Sequence, residues 1–285
     1  MTKNKVIFID WSVFLHRAIF AWRNNKQIPA TFTAFNMVFS CLKAVGIDDS
    51  DSVIFAMDSP LGSWRKQVDT NYKSNRKVFR AQFEDINWSK MFEEMDNKLN
   101  TVVSATPFEK VRVDYLEADD IIAYGVKYYS DRECVIISSD SDYEQLLVYP
   151  NVKLFSPLTK HYKFVKNPYS VLIKKIKREA ADNLTSEILT KLDYDKRKQI
   201  VDLIHLPPDV EELVKDSLSR IAKKIGNMDE FPFSSLRNRL AEAYAGEHVV
   251  TYEQSMKRLE RKEKKRKIKK KPARGRKFKS CPEYG

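Results

Sequence analysis

The sequence is short of the residues that staple small or secreted proteins. It has three cysteines in 285 residues, Cys41, Cys134 and Cys281. Scattered as they are, they make neither a disulfide framework nor a zinc knuckle, and they suit a reducing cytoplasm. The four histidines, His16, His161, His205 and His248, are equally dispersed and form no zinc cluster. No apolar run approaches ~18 residues, so no segment reads as a membrane span. The N-terminus does not read as a signal peptide, because Val6-Ile-Phe-Ile9 stops at Asp10 and Arg17 interrupts the next apolar stretch. Glycine is scarce, with none between Gly125 and Gly226. No Ser-His or Cys-His constellation points to a covalent intermediate.

The chain is 42% apolar, enough for a sizeable core in one large domain or two modest ones. Its net charge of +12 is unevenly placed: residues 1–256 hold 36 basic and 36 acidic side chains, while 257–279 carry 15 Lys or Arg against two Glu. The body is neutral and the basicity belongs to a C-terminal segment. Such a segment attracts polyanions through salt-sensitive counterion release. From Tyr252 to about Lys271 it reads as a very basic helix that like charges oppose. Residues 257–285 as a whole read as a basic tail, disordered after Pro272.

Carboxylates recur where apolar strands stop. Lys5-Val-Ile-Phe-Ile ends at Asp10, Ser52-Val-Ile-Phe-Ala-Met at Asp58, and Val135-Ile-Ile-Ser-Ser at Asp140, with Lys110–Val113 as a further strand. Helices are expected over about 12–21 and 31–45. Strands alternating with helices predict an α/β fold with a mostly parallel sheet and right-handed crossovers, whose ligands bind beyond the strands' carboxyl ends. Tyr115-Leu-Glu-Ala-Asp-Asp120 opens another helix, with Glu117 and Asp120 at i and i+3 and therefore on one face. Asp140-Ser-Asp142 adds one more acid, Asp142, two residues past the strand end. A lone Asp after a strand is most simply an N-cap or turn residue, and Asp119 or Asp120 at a helix start fits that role. Three such strand ends beside E-x-D-D and D-x-D point instead to a shared cation, because so many carboxylates stay ionised together only around positive charge.

Between residues 62 and 84 the character changes. Trp64-Arg-Lys-Gln-Val-Asp-Thr-Asn-Tyr-Lys-Ser-Asn-Arg-Lys-Val-Phe-Arg80 interleaves basic and aromatic residues, as a segment that neutralises phosphates and stacks bases would. Lys66, Lys77 and Arg80 are its candidate nucleic-acid contacts. The plainer reading is a solvated helix with Trp64 and Phe79 in the core.

These pieces, in this order, resemble the 5′-nuclease (flap endonuclease-like) family of the PIN-like fold. Ile9-Asp10 with Arg17-Ala18 resembles its first motif. Ala56-Met-Asp58 with Trp64-Arg65 and Asn71–Arg76 resembles its second strand and basic arch. Tyr115–Asp120 and Ser138–Tyr143 resemble its central acidic motifs. Tyr149–Lys153 and Ser156-Pro157 resemble its phage branch. The resemblance covers residues 5–165 and implies a catalytic domain over 1–165, a smaller helical domain over 166–256, and a monomer. It implies two Mg²⁺ ions, with Mn²⁺ as substitute: the first near Asp10, Asp58, Asp120 and Asp140 with Glu117 or Asp119 adjacent or holding water, the second near Asp142, Glu179 and Asp182. Those last two stand in Arg178-Glu-Ala-Ala-Asp-Asn183, where the family has G-D-x-x-D-N. Lys73 resembles the arch lysine on the scissile phosphate and Tyr72 the neighbouring aromatic, and Arg65 and Arg76 are implied to hold phosphates or the 5′ end.

The family's glycine-rich duplex-gripping motif is altered or lost here, since no glycine occupies that region. Duplex would be held by side chains such as Lys174, Lys175, Lys177, Arg178, Arg197 and Lys198, whose plainer reading is a solvated helix face. Helices are expected over 184–192, 194–205, 210–225 and 233–245. The implied activity is 5′→3′ exonuclease, flap endonuclease and ribonuclease H, removing RNA primers or 5′ flaps in replication in a host bacterial cytoplasm. The implied partners are DNA with 5′ ends, RNA–DNA hybrids, and a single-strand-binding protein or sliding clamp. Rival readings are a Toprim-type site, which wants a lone strand-end Glu upstream, and a phosphatase, which wants Asp where Ser12 stands. A further rival is an impaired nuclease fold kept as a nucleic-acid-binding replication accessory factor.

Overall fold

Side-chain alternation along each strand builds two separate cores. In the computed structural model, which describes residues 4–177, 191–222, 224–246 and 248–269, strand β1 (Lys5–Asp10) turns Ile7 and Ile9 to one face and Val6 and Phe8 to the other. Strands β2 (Ser52–Met57) and β4 (Glu133–Ile137) divide their apolar residues in the same way. This explains why each reads as an unbroken apolar run: both faces are covered. With β3 (Glu109–Arg112), β5 (Val152–Ser156) and the two-residue β6 (His161–Tyr162), they form one sheet in the order β3-β2-β1-β4-β5-β6. Every pairing is parallel except β5 with β6. The expected mostly parallel α/β architecture is thus present. Sequence reading had not resolved β5 and β6.

On one face lie α1 (Trp11–Asn24), α2 (Ala30–Val45) and α5 (Trp88–Ala105). On the other lies α6 (Ala118–Tyr128), which comes so close to β1 that a Cβ on Gly125 would stand 2.5 Å from the Phe8 ring. The segment between β2 and α5 forms two short helices, α3 (Arg65–Val68) and α4 (Asn75–Ala81). Beyond β6 come α7 (Tyr169–Lys177), α8 (Lys191–Val201), α9 (Pro208–Ser219), α10 (Ser234–Ala245) and α11 (Tyr252–Lys269).

The later helices do not gather into one body of their own. Val210, Val214 and Leu218 of α9 join the core around α6, whereas Leu236, Leu240 and Ala243 of α10 join the core on the opposite face, around α2. Ile176 of α7 and Ile200 and Val201 of α8 form a third cluster with Tyr72. The expected helix over 210–225 stops sooner, at Ser219. Most of the one expected over 184–192 lies outside the described residues.

The basic C-terminal segment is helical from Tyr252, as expected, with α11 continuing to Lys269, and the stretch after Pro272 lies outside the described residues. Its like charges are offset by a firm start. Thr251 and Gln254 cap each other, each backbone N–H donating to the other's side chain at 3.1 Å. The Tyr252 ring then packs 4.4 Å from that of Phe164. Among the described residues no helix is long and apolar enough to cross a membrane.

Candidate active site

Strand register brings the acids to one edge. Asp10 lies level with Ala56 of β2, and Ile9 with Ile137 of β4, so Asp10, Asp58 and Asp140 all emerge at the carboxyl end of three adjacent strands. Hydrogen bonds then fix them. Asp10 is almost fully buried and accepts from the Ser12 and Ser138 hydroxyls, both at 2.8 Å. The Asp140 backbone N–H donates to Ser138 Oγ at 3.0 Å, and the Asp142 N–H donates to Asp140 Oδ1 at 2.9 Å. Asp58 Oδ1 accepts from the Ala118 N–H at 2.9 Å, which ties the end of β2 to the first turn of α6, where the helix dipole favours a carboxylate.

Helix α6 presents three acids with three fates. Glu117, at its N-cap, accepts from Lys73 Nζ at 2.8 Å, Tyr72 OH at 2.9 Å and Arg65 Nη1 at 3.0 Å. Asp119 turns towards Asp140 and accepts from the Tyr143 hydroxyl at 3.0 Å. Asp120 turns inward and is fully buried: Arg65 donates two bonds to it, at 3.0 and 2.7 Å, Trp64 Nε1 a third at 3.2 Å, and the Glu117 N–H a fourth at 2.9 Å. Asp120 therefore serves the interior, and the acid beside the other carboxylates is Asp119.

The electrostatics follow the packing. Burial, then the charges of Asp58 and Asp140, push the Asp10 carboxyl up to about 6 despite the two serine hydroxyls. Burial and the charges of Glu117 and Asp140 raise Asp119 well above the ordinary range, against Lys73. Burial would also raise Glu117, but Lys73, Arg65 and the Tyr72 hydroxyl outweigh it and hold the group at about 2. The site thus concentrates negative charge that the chain's own cations neutralise in part.

A carboxyl with its folded-state pKa raised binds its proton more tightly when folded. It therefore costs stability as pH climbs past the unfolded value of 3.8 towards about 6. With a chelator present, unfolding free energy should fall across that window, by on the order of 3 kcal/mol from Asp10 alone. Urea midpoints measured at about pH 4 and about pH 6.5 test this, and Asp10→Asn should flatten the difference; an equally steep variant would exclude Asp10 as the source.

Above the acids lies a cleft of about 920 Å³. Asp58 and Glu117 line it from below, Lys66, Lys73, Arg76, Lys77 and Arg80 from the basic segment, and His16 from α1. A smaller cavity of about 30 Å³ is lined by Asp119, Asp140 and Asp142, and Tyr72, Lys73 and Arg76 border both spaces. Lys66, Arg76 and Lys77 are exposed. His16 donates through Nδ1 to the Ser12 carbonyl at 2.9 Å, which leaves Nε2 to accept from Arg80 at 3.4 Å. Burial keeps this imidazole below its usual pKa.

Several residues differ from their expected roles. Arg65 was expected on substrate phosphates, yet it is 1% exposed, its Nε donating to the Ile200 carbonyl at 2.7 Å and its other nitrogens to Glu117 and Asp120, so that it borders the small acid-lined cavity only as a buried, fully engaged group. Tyr72 was expected as the aromatic neighbouring Lys73; it borders the cleft with its ring buried against α7 and α8. Lys175 was expected on duplex and is paired with Asp142, while Lys174 and Lys177 are exposed. Arg197 is buried, donating to the Ile176 carbonyl. Arg178, Glu179 and Asp182 lie outside the described residues. Sequence reading missed Ser12, Ser138 and Tyr143 as holders of Asp10 and Asp119; the only signal was their position within two or three residues of a strand-end acid.

Among the described residues no three acidic, histidine or cysteine side chains are gathered tightly enough to hold a metal ion as they stand. The donor set nevertheless fits a hard cation. It is all oxygen, and the carboxyls of Asp10 and Asp119 are raised by burial and then by neighbouring carboxylate charge, both of which a bound divalent ion would counter.

A central parallel sheet with one antiparallel edge strand and helices on both faces is the resolvase-like, PIN-type architecture. The sequence pattern of the 5′-3′ exonuclease, N-terminal resolvase-like domain matches residues 5–177, and the chain belongs to that family. It is 28% identical over 194 residues to the ribonuclease H of Enterobacteria phage T4, across 65% of this chain and 63% of that protein, so the match spans a little under two thirds of the relative. Two solved structures share the fold at 18% identity and a TM-score of 0.57. One is the bacteriophage T5 D15 protein crystallised with metal ions, covering 77% of this chain and all of that one. The other is the T5 D15 flap endonuclease with DNA and metal ions, covering 84% and 99%.

Proposed function

We propose that the chain is a divalent-metal-dependent 5′-nuclease that hydrolyses phosphodiesters near 5′ ends, leaving a 5′-phosphate and a 3′-hydroxyl. The observation that carries this reading is the meeting of Asp10, Asp58, Glu117, Asp119 and Asp140 beneath a cleft whose basic segment contributes Lys73 and Arg76. Family membership and the names of the relatives point the same way. The metal would be held by Asp10, Asp58, Asp119 and Asp140, with Asp142 and the acids Glu179 and Asp182 as the second group. Mg²⁺, when bound, supplies Lewis acidity to phosphate oxygens and lowers the pKa of water.

The chain's own residues do the rest. Arg76, Lys66, Lys77 and Arg80 neutralise backbone phosphates along the cleft. Lys73, held by Glu117, is positioned to donate to the phosphate whose charge grows as the bond breaks. Glu117 orients that ammonium and Tyr72 orients Glu117. Arg65 and Asp120 act only through structure, by fixing the base of the basic segment. Substrates would be DNA with 5′ flaps and RNA–DNA hybrids, and the cellular role removal of RNA primers or flaps during replication.

The test is cleavage of a 5′-labelled flap duplex and of an RNA–DNA hybrid with Mg²⁺ or with EDTA. Short 5′ fragments released only with Mg²⁺ support the reading; binding without cleavage in Mg²⁺ and Mn²⁺ would favour an accessory factor that has lost its chemistry. Lys73→Ala should lower turnover by about ten- to a hundredfold with little change in substrate affinity. Equal losses in both would make Lys73 a docking residue.

A further inference from the structure

The helix that ends the described chain runs out past the same edge of the sheet as the acids. Tyr252 stacks beside Tyr162 and Phe164, Ser255 Oγ accepts from the Tyr162 N–H at 3.1 Å, and Arg258 donates to the Thr159 carbonyl at 3.0 Å. Thr159 sits in the turn that follows Ser156, the last residue of β5, and β5 runs parallel to β4. Successive contacts of α11 therefore climb towards the carboxyl edge. The rest of the helix, from Leu259 to Lys269, extends roughly 16 Å further at an α-helical rise. Its root, at β6, stands three strand spacings from β1, roughly 14 Å, or about four nucleotides of a duplex strand.

The face of α11 turned to the body changes chemistry where the body ends. Ser255 is buried and Arg258 and Leu259 are half-buried. At helical spacing the same stripe continues as Lys262, Lys265 and Arg266, all exposed. Among the described residues the one ion pair within α11 is Glu253–Lys257, on the helix's first turns, so these three cations are uncompensated. A stripe that is anchored, then purely cationic, and aimed over the acid-bearing edge is complementary to a phosphate backbone lying across that edge.

We propose that α11 is a flank for duplex DNA, with Lys262, Lys265 and Arg266 gripping backbone phosphates a few nucleotides from the site. This rests on the nuclease reading for its substrate. An acidic protein partner is the competing occupant, and the site-ward direction of the stripe favours nucleic acid.

The experiment compares two charge-matched triple variants of the full chain. One is Lys262→Gln, Lys265→Gln and Arg266→Gln. The other, on the opposite side of the helix, is Lys257→Gln, Arg261→Gln and Lys264→Gln. Glutamine keeps the helix propensity. Duplex binding is measured in EDTA from low to moderate salt, so no cleavage is required. The first triple should reduce the slope of log affinity against log salt by about 0.9 per lost contact and weaken binding about tenfold to a hundredfold at low salt. The second should change both much less. Equal effects from both triples would mean a diffuse polybasic attraction and overturn the proposal, as would an unchanged slope in the first triple, which would assign the helix to an acidic protein. Should the unmodified chain bind duplex but fail to cleave in Mg²⁺, the nuclease reading falls while the flank can still be judged from the two slopes.

Discussion

Asp140→Asn should abolish hydrolysis, a loss on the order of a thousandfold, while leaving the fold intact. The separation of the two effects comes from where Asp140 stands. It is exposed, so no core packing depends on it, and its bond to the Asp142 N–H survives because an amide oxygen accepts as a carboxylate does. What disappears is one full negative charge at the meeting point of three strand ends. That charge helps raise both Asp10 and Asp119, so its removal reduces the repulsion that makes the site attractive to a divalent cation. The measurement is cleavage of a labelled flap beside a thermal melt. Retained cleavage would remove Asp140 from the site; a collapsed melt would mean that the structural role had been underestimated.

Arg65→Met should produce the opposite pattern, a large loss of stability. The guanidinium is buried with Asp120 and Glu117, and burial alone would favour its deprotonation, but Asp120, Tyr72 and Glu117 keep it charged. Deleting the cation strands the buried Asp120 carboxylate, while Glu117 keeps Lys73, and an unpaired buried charge of this kind costs about 3–5 kcal/mol, or roughly 10 °C in melting temperature for a chain of this size. Arg65→Lys should recover only part, because a single ammonium cannot reproduce the forked contacts to Asp120 together with the bond to the Ile200 carbonyl. The double variant Arg65→Met with Asp120→Asn should be more stable than Arg65→Met alone, since it no longer buries an unpaired charge. Urea denaturation decides the point, and a neutral Arg65→Met would show that the pair contributes nothing.

The contrast between these residues shows how far a sequence can be read. Asp10, Asp58 and Asp140 were legible because each ends an apolar strand, and parallel strands force their ends to one edge. The start of α6 at Glu117 was legible as well. The division of labour between Asp119 and Asp120 was not. Neighbours on a helix point about 100° apart, and only the inward approach of Arg65 decides which one faces the interior. Arg65 itself looked like one more cation in a basic segment, because burial is a property of α8 meeting α3 across more than a hundred residues. Strand β5 was missed because Val152-Lys-Leu-Phe-Ser is short and mixed, and it becomes a strand only beside β4.

The return of the chain to both faces of the sheet has a consequence for its birth. Helix α2 is covered by α10 and α6 by α9, so apolar surfaces made early in synthesis wait for partners made late. Ribosomes add about 5–20 residues each second, so α6 is exposed for several seconds before α9 appears, and α2 for longer still. During that interval the apolar outer surfaces of α2 and α6 stay open to solvent, so the layers that hold the acid-bearing edge are completed only when the final helices have been made.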